Sequence, residues 1–157
     1  MISTEFSLFG ARKARAEGKS QAWLETYLEI NNVGLKQGLQ RRPRYWTGPE
    51  LLPLDSLLRC CGPEAEMEYR MPRVEWERRL KKMQLNFVQL ENFPPLITQY
   101  RSGIFSVRDG NTRHEVFSRQ GITHCWTWIW YDTAEDLIRA GRNPAQAIFI
   151  DAIESSA

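Results

Sequence analysis

Cysteine is scarce in this chain: there are three among 157 residues, and two of them, Cys60 and Cys61, are adjacent. That makes a poor disulfide framework, and no Cys-x-x-Cys or Cys/His spacing suggests a zinc site. Long apolar runs are absent as well. Nothing approaches the ~20 apolar residues that a membrane-spanning helix needs, and the start, MISTEFSLFGARKARAEG, lacks the apolar core of a signal peptide. The expectation is a cytoplasmic protein with reduced thiols and no membrane partner. Strong charge of one sign is also missing: 21 Lys/Arg stand against 19 Asp/Glu, a formal +2. So small a surplus does not by itself argue for nucleic acid. No internal repeat or low-complexity tract is present.

What charge there is falls unevenly. Residues 1–44 hold eight Lys/Arg and four Glu, so a mildly basic, helical N-terminal extension precedes a nearly neutral body at 45–157. A basic arm of this kind fits a nucleic-acid or acidic partner, and it equally fits a solvated helical face. Within it, 4–17 and 20–30 read as two helices. Trp23, Leu24, Tyr27 and Leu28 form an apolar stripe on the second, and Ser20 suits its N-cap. Gly34, Gly38 and Arg41-Arg42-Pro43-Arg44 suggest a connector. Gly18-Lys19-Ser20 resembles the end of a phosphate-binding P-loop, but Lys13 stands where that pattern requires glycine, and no strand precedes it.

The body alternates strands and helices. Leu51–Leu58 reads as a strand running into a turn, Cys60–Arg73 as loop, and Val74–Leu85 as a helix through Trp76, Leu80 and Met83. Pro94-Pro95 bars further helix. Leu96–Tyr100 and Ile104–Arg108 suggest a hairpin across Arg101-Ser102-Gly103. Thr112–Gln120 reads as a helix stopped by Gly121. Cys125–Tyr131 (CWTWIWY) is the clearest strand, and Asp132 or Thr133 caps a last helix to Ala140. The predicted fold class is mixed α+β: a small mixed sheet flanked by helices.

Chemistry concentrates at Asp109–Gly121, DGNTRHEVFSRQG. A helix start carries unpaired N–H groups and a partial positive charge. Gly110 permits a sharp turn and close approach of a ligand. Asn111 and Thr112 offer short polar side chains, and Arg113 offers a charged fork suited to phosphate. Together they make an anion cradle. The same residues also fit a plain turn, with Asp109 as cap and Arg113 in a surface ion pair. Asp109 and Glu115 are candidate ligands for Mg²⁺ beside a nucleotide. His114 is a candidate acid or base, or a helix-surface residue, and His124 lacks a partner at metal-ligand spacing. Trp126, Trp128 and Trp130 share one strand face, as a platform for bases or as core, and Cys125 on the other face reads as a small buried hydrophobe.

The order of these motifs resembles the ParB/sulfiredoxin-like superfamily. Pro95-Leu96-Ile97, Gly103, Asp109-Gly110, Arg113 and Gly121 follow its strand–turn–strand–box–helix pattern. Leu52–Leu57 is similar to its first strand, and Met71-Pro72-Arg73 to its Pro-Arg element. The resemblance covers Leu51 to Asp132, about half the chain. It implies the family's fold across the 45–157 body, and a pocket for a nucleotide such as CTP, ATP or ADP. Gly110, Asn111, Thr112 and Arg113 would line the phosphates, and Arg73 would close over the same anion. NTPase or phosphotransfer activity is within the family's range. A non-enzymatic DNA- or RNA-associated module and a metal-dependent nuclease are the alternatives. Asn111 stands where sulfiredoxins carry cysteine, which removes sulfinic-acid reduction. The two dozen or so residues after Asp132 are too few for the partition proteins' helix-turn-helix.

Overall fold

The computed structural model describes residues 4–85 and 90–152. Three helices open the chain: α1 (Leu8–Ala16), α2 (Ser20–Asn31) and α3 (Val33–Leu39). Strand β1 (Arg44–Pro53) follows, then β2 (Leu57–Arg59), the two-residue strands β3 (Cys61–Gly62) and β4 (Tyr69–Arg70), and α4 (Arg73–Leu85). The rest is β5 (Leu96–Arg101), β6 (Ile104–Asp109), α5 (Asn111–Arg119), β7 (His124–Tyr131), α6 (Ala134–Arg139) and β8 (Ile148–Ile150).

Six strands form one mixed sheet in the order β2-β6-β5-β7-β1-β8, and β3 and β4 pair separately. β5 and β6 are a tight antiparallel hairpin whose two-residue loop, Ser102 and Gly103, has φ of 53° and 81°. Positive φ at both positions matches the twist of the strands it joins. β7 returns parallel to β5 through β6 and α5, which places α5 over the sheet. The architecture is therefore mixed α+β, with helices on both faces of a six-stranded sheet.

Side-chain alternation divides the core. Trp128 and Trp130 point to one face, where they pack with Ile97, Trp46 and the apolar stripe Trp23, Leu24, Tyr27 and Leu28 of α2. Trp23 stacks on Tyr27 with ring centroids 5.1 Å apart and tilts against Trp128 at 5.7 Å. Burying Leu24 and Leu28 contributes about 1.5–3 kcal/mol each. Cys125, Ile129 and Tyr131 point to the other face, toward Phe117 of α5 and Leu137 of α6. Trp76 and Leu80 fasten α4 to Val116 of α5. Helices α1, α2 and α3 thus share a core with the sheet; Trp128 and Trp130 belong to that core, while Trp126 is half-buried under the Arg12 guanidinium.

Several local expectations are corrected. The stretch after Asn32 is helix α3, not a connector: the Asn32 side chain accepts the Leu35 N–H at 3.2 Å, and Leu39 is buried. Gly34 and Gly38 each cost a helix about 1 kcal/mol relative to alanine, which is why the sequence there looks unstructured. Ser20 lies inside the first turn of α2; Lys19 occupies the cap position, and the Ser20 hydroxyl is buried without a partner among the described residues. β1 begins at Arg44, not Leu51. A register shift between Thr47 and Glu50, at Gly48-Pro49, disguises it as two fragments. β8 is a three-residue edge strand on β1 that the sequence reading passed over.

Candidate functional site

β6 delivers Asp109 to the sheet end, and the chain turns at Gly110 with φ of 97° before α5 starts at Asn111. A Cβ at Gly110 would lie 2.5 Å from Leu96 Cδ2 and 2.7 Å from Arg113 Nη2. Only glycine fits beneath the folded-back arginine. Gly110 at the N-cap has no side chain to cap α5, so among the described residues its first N–H groups have no intrahelical acceptor and no capping oxygen.

Asp109 and Arg113 form a buried ion pair at 2.8 Å. The Tyr27 hydroxyl donates to Asp109 at 2.8 Å and accepts from Arg113 Nη2 at 3.0 Å. Asn32 donates to the other Asp109 oxygen at 3.1 Å, and Arg113 Nη1 donates to the Pro94 carbonyl at 2.7 Å. Burial opposes the charge on Arg113, but Tyr27 and Asp109 outweigh it and leave its pKa raised. Burial also raises that of the Tyr27 hydroxyl. A buried pair whose remaining polar atoms are satisfied holds its geometry firmly. Arg113 therefore ties α5, α2 and the Pro94 segment together; the plain-turn reading foresaw an ion pair, but one at the surface.

Asn111 is similarly employed. Its Oδ1 accepts the backbone N–H groups of Cys60 and Cys61 at 2.8 and 3.2 Å, and its Nδ2 donates to the Val107 carbonyl at 3.1 Å. It thereby fixes the Cys60-Cys61 segment against the helix start. Thr112 is half-buried, and its hydroxyl makes no hydrogen bond among the described residues.

This turn forms one wall of a cleft of 1360 Å³, with Asn32, Gly34 and Leu35 of the α2–α3 corner on another. Arginine dominates the lining: Arg42, Arg44, Arg79, Arg101, Arg108 and Arg113. The lining carboxylates are Glu68, Asp109, Asp132 and Asp136. Four of the arginines are paired, Arg113 with Asp109, Arg44 with Asp132, Arg108 with Glu68, and Arg79 with Glu75 beyond the lining. Positive charge is left over in a concave surface, where low-dielectric walls focus it.

The remaining predicted residues are distributed differently. Arg73 is exposed at the start of α4 and is not part of the cleft lining. Glu115 faces Arg59 at 3.6 Å and Arg119 at 3.3 Å, while Asp109 spends both oxygens on Tyr27, Asn32 and Arg113. Two carboxylates committed to separate partners do not fit a shared Mg²⁺, and no group of three metal-ligating side chains occurs among the described residues. His114 is not a free surface residue: it is mostly buried and hydrogen-bonded to the Leu54 carbonyl at 3.0 Å. In the N-terminal segment, Lys36 pairs with Glu29, Arg12 lies over the Trp126 ring and Arg15 bonds the Gln146 carbonyl. The basic surplus there is largely spent within the protein. No helix among the described residues is long and apolar enough to cross a membrane.

Sequence reasoning missed Tyr27, Asn32 and most of the cleft arginines. Tyr27 was visible only as one member of an apolar stripe, although a buried tyrosine hydroxyl needs a partner and so announces one.

The fold and site define a mixed α+β domain with an arginine-lined cleft at the start of a glycine-led helix. No protein-family model matches the sequence, and no curated protein does. Among solved structures, the chain is similar to the C-terminally truncated chromosome-partitioning protein ParB from Caulobacter crescentus complexed with CTP-gamma-S, at TM-score 0.37 and 15% identity. The match covers 60% of this chain and 51% of that one, so it spans about half of the partitioning protein's length.

Proposed function

We propose that the cleft binds a phosphate-bearing ligand, a nucleotide being the class the site suits best, with phosphate seated at the start of α5. The observation that carries this is the uncapped α5 terminus on the wall of a 1360 Å³ cleft whose lining also includes Arg79 and Arg108. Free N–H groups and the helix dipole favour an anion there. The Thr112 hydroxyl adds a donor, and Arg108 and Arg79, each ion-paired through one edge with Glu68 and Glu75, line the cleft with further guanidinium donors. Arg113 and Asn111 shape the turn from behind, through contacts to protein instead of ligand. The remaining volume accommodates a nucleoside-sized body, since ligand sites commonly occupy about 300–1,000 Å³. NTPase or phosphotransfer turnover is a separate question, which phosphate release from the same preparation answers.

Calorimetric titration with CTP, ATP and ADP, each with and without Mg²⁺, tests the reading. At least one nucleotide saturates the protein, and Arg108→Ala weakens it about tenfold, the effect of one charge-assisted contact. If none of the three binds at millimolar concentration, the reading is wrong.

A further inference from the structure

β5 runs away from the α5 end of the cleft: Ile97 pairs with Asp109, and Arg101 lies four residues further along. At that far end three adjacent strands finish level. Tyr131 sits opposite Tyr45 of β1 on one side and Tyr100 of β5 on the other. The next residues outward, Arg44, Asp132 and Arg101, therefore form one row across the sheet end. With ~4.8 Å between neighbouring strands, the two arginine backbones stand about 10 Å apart. Arg42 joins the row just ahead of β1, and all three arginines line the cleft.

The charges in this row do not balance. Asp132 gives one oxygen to Arg44 and the other to Gln99, which donates at 2.9 Å. Arg42 and Arg101 have no carboxylate partner among the described residues, and both are exposed. Arg44 is 8% exposed, and its Nε is buried without an acceptor among the described residues. Burial lowers its pKa, and the charge of Arg42 adds to that effect. Three arginines and two carboxylates, Asp132 and Asp136, line this part of the cleft, so positive charge is left over for an anion to neutralise.

Building on the phosphate reading of the α5 end, we propose that Arg42, Arg44 and Arg101 form a second anion subsite, so that the ligand carries an acidic group at each end of a nucleoside-sized body. Four residues of strand separate the two ends by about 13 Å. A molecule with phosphate at both termini spans that distance, whereas a mononucleotide with all its phosphates at one end leaves the arginine row unfilled.

The probes are a deoxydinucleotide phosphorylated at both its 5′ and 3′ ends and the same molecule without the 3′ phosphate, titrated by calorimetry. The wild-type protein binds the doubly phosphorylated form about tenfold more tightly. Arg42→Gln/Arg101→Gln, at exposed positions that leave the core intact, narrows this preference to about twofold or less, while the affinity for CTP at the α5 end stays as it was. An unchanged preference in the double variant overturns the second subsite, as does equal binding of the two probes by the wild type; CTP binding then still stands. If neither the probes nor CTP, ATP or ADP bind, both readings fall.

Discussion

Replacing Arg113 with methionine removes the charge and all three of its hydrogen bonds but keeps much of its length. Asp109 then remains buried, held only by the Tyr27 hydroxyl and the Asn32 amide. Removing one member of a buried pair typically costs about 3–5 kcal/mol, because the abandoned charge no longer has its partner. For a domain of this size that corresponds to a Tm lower by about 6–20 °C. The transition can be followed in urea by tryptophan fluorescence, since Trp23 and Trp128 pack beside the Tyr27 ring or against one another. Asp109→Asn/Arg113→Met should lose clearly less than the sum of the single variants, because it leaves no unpaired charge. A cost below about 1 kcal/mol for Arg113→Met, the range of an exposed pair, would refute the structural role and return Arg113 to the ligand. Until stability has been measured, lost binding in an Arg113 variant says nothing about contact with phosphate.

Two further outcomes follow from buried groups. Burial lowers the pKa of His114, against the opposing pull of the Leu54 and Leu57 carbonyls. The unfolded chain therefore takes up a proton first as pH falls below about 6.5, and stability declines from pH 7 toward pH 5; His114→Gln should flatten that decline, and an identical slope in the variant would count against it. Cys60 and Cys125 are buried and Cys61 is half-exposed, with the Cys125 thiol pushed up to about 12 by burial. Alkylation of the native protein at pH 8 should therefore label Cys61 alone, and early labelling of Cys125 by mass spectrometry would contradict the packing.

What the sequence disclosed and what it withheld divide along contact distance. The alternation of Trp126, Trp128 and Trp130, the Ser102-Gly103 turn and the helix after Gly110 are local patterns, and each is found where expected. Arg113 was legible as a charged residue at a helix start, but its role was not, because Tyr27 lies 86 positions away. The same holds for Asn111, whose partners are the backbone groups of Cys60 and Cys61. A short polar side chain after a glycine looks identical whether it faces a ligand or a distant loop. The arginine row at the far end of the cleft was hidden for another reason: strand register, not sequence spacing, sets Arg44 level with Arg101.

The shared core of the N-terminal helices and β7 has a consequence for biosynthesis. α2 leaves the ribosome about a hundred residues before Trp128, yet the stripe of Trp23, Leu24, Tyr27 and Leu28 shares its core with Trp128 and Trp130 of β7 and Ile97 of β5. At about 5–20 residues per second, that stripe waits some 5–20 s for its partner. An isolated helix of twelve residues is marginal in water, so the nascent segment spends the interval unfolded or held by other factors. The protein is committed to folding late, once its most tryptophan-rich strand has been made.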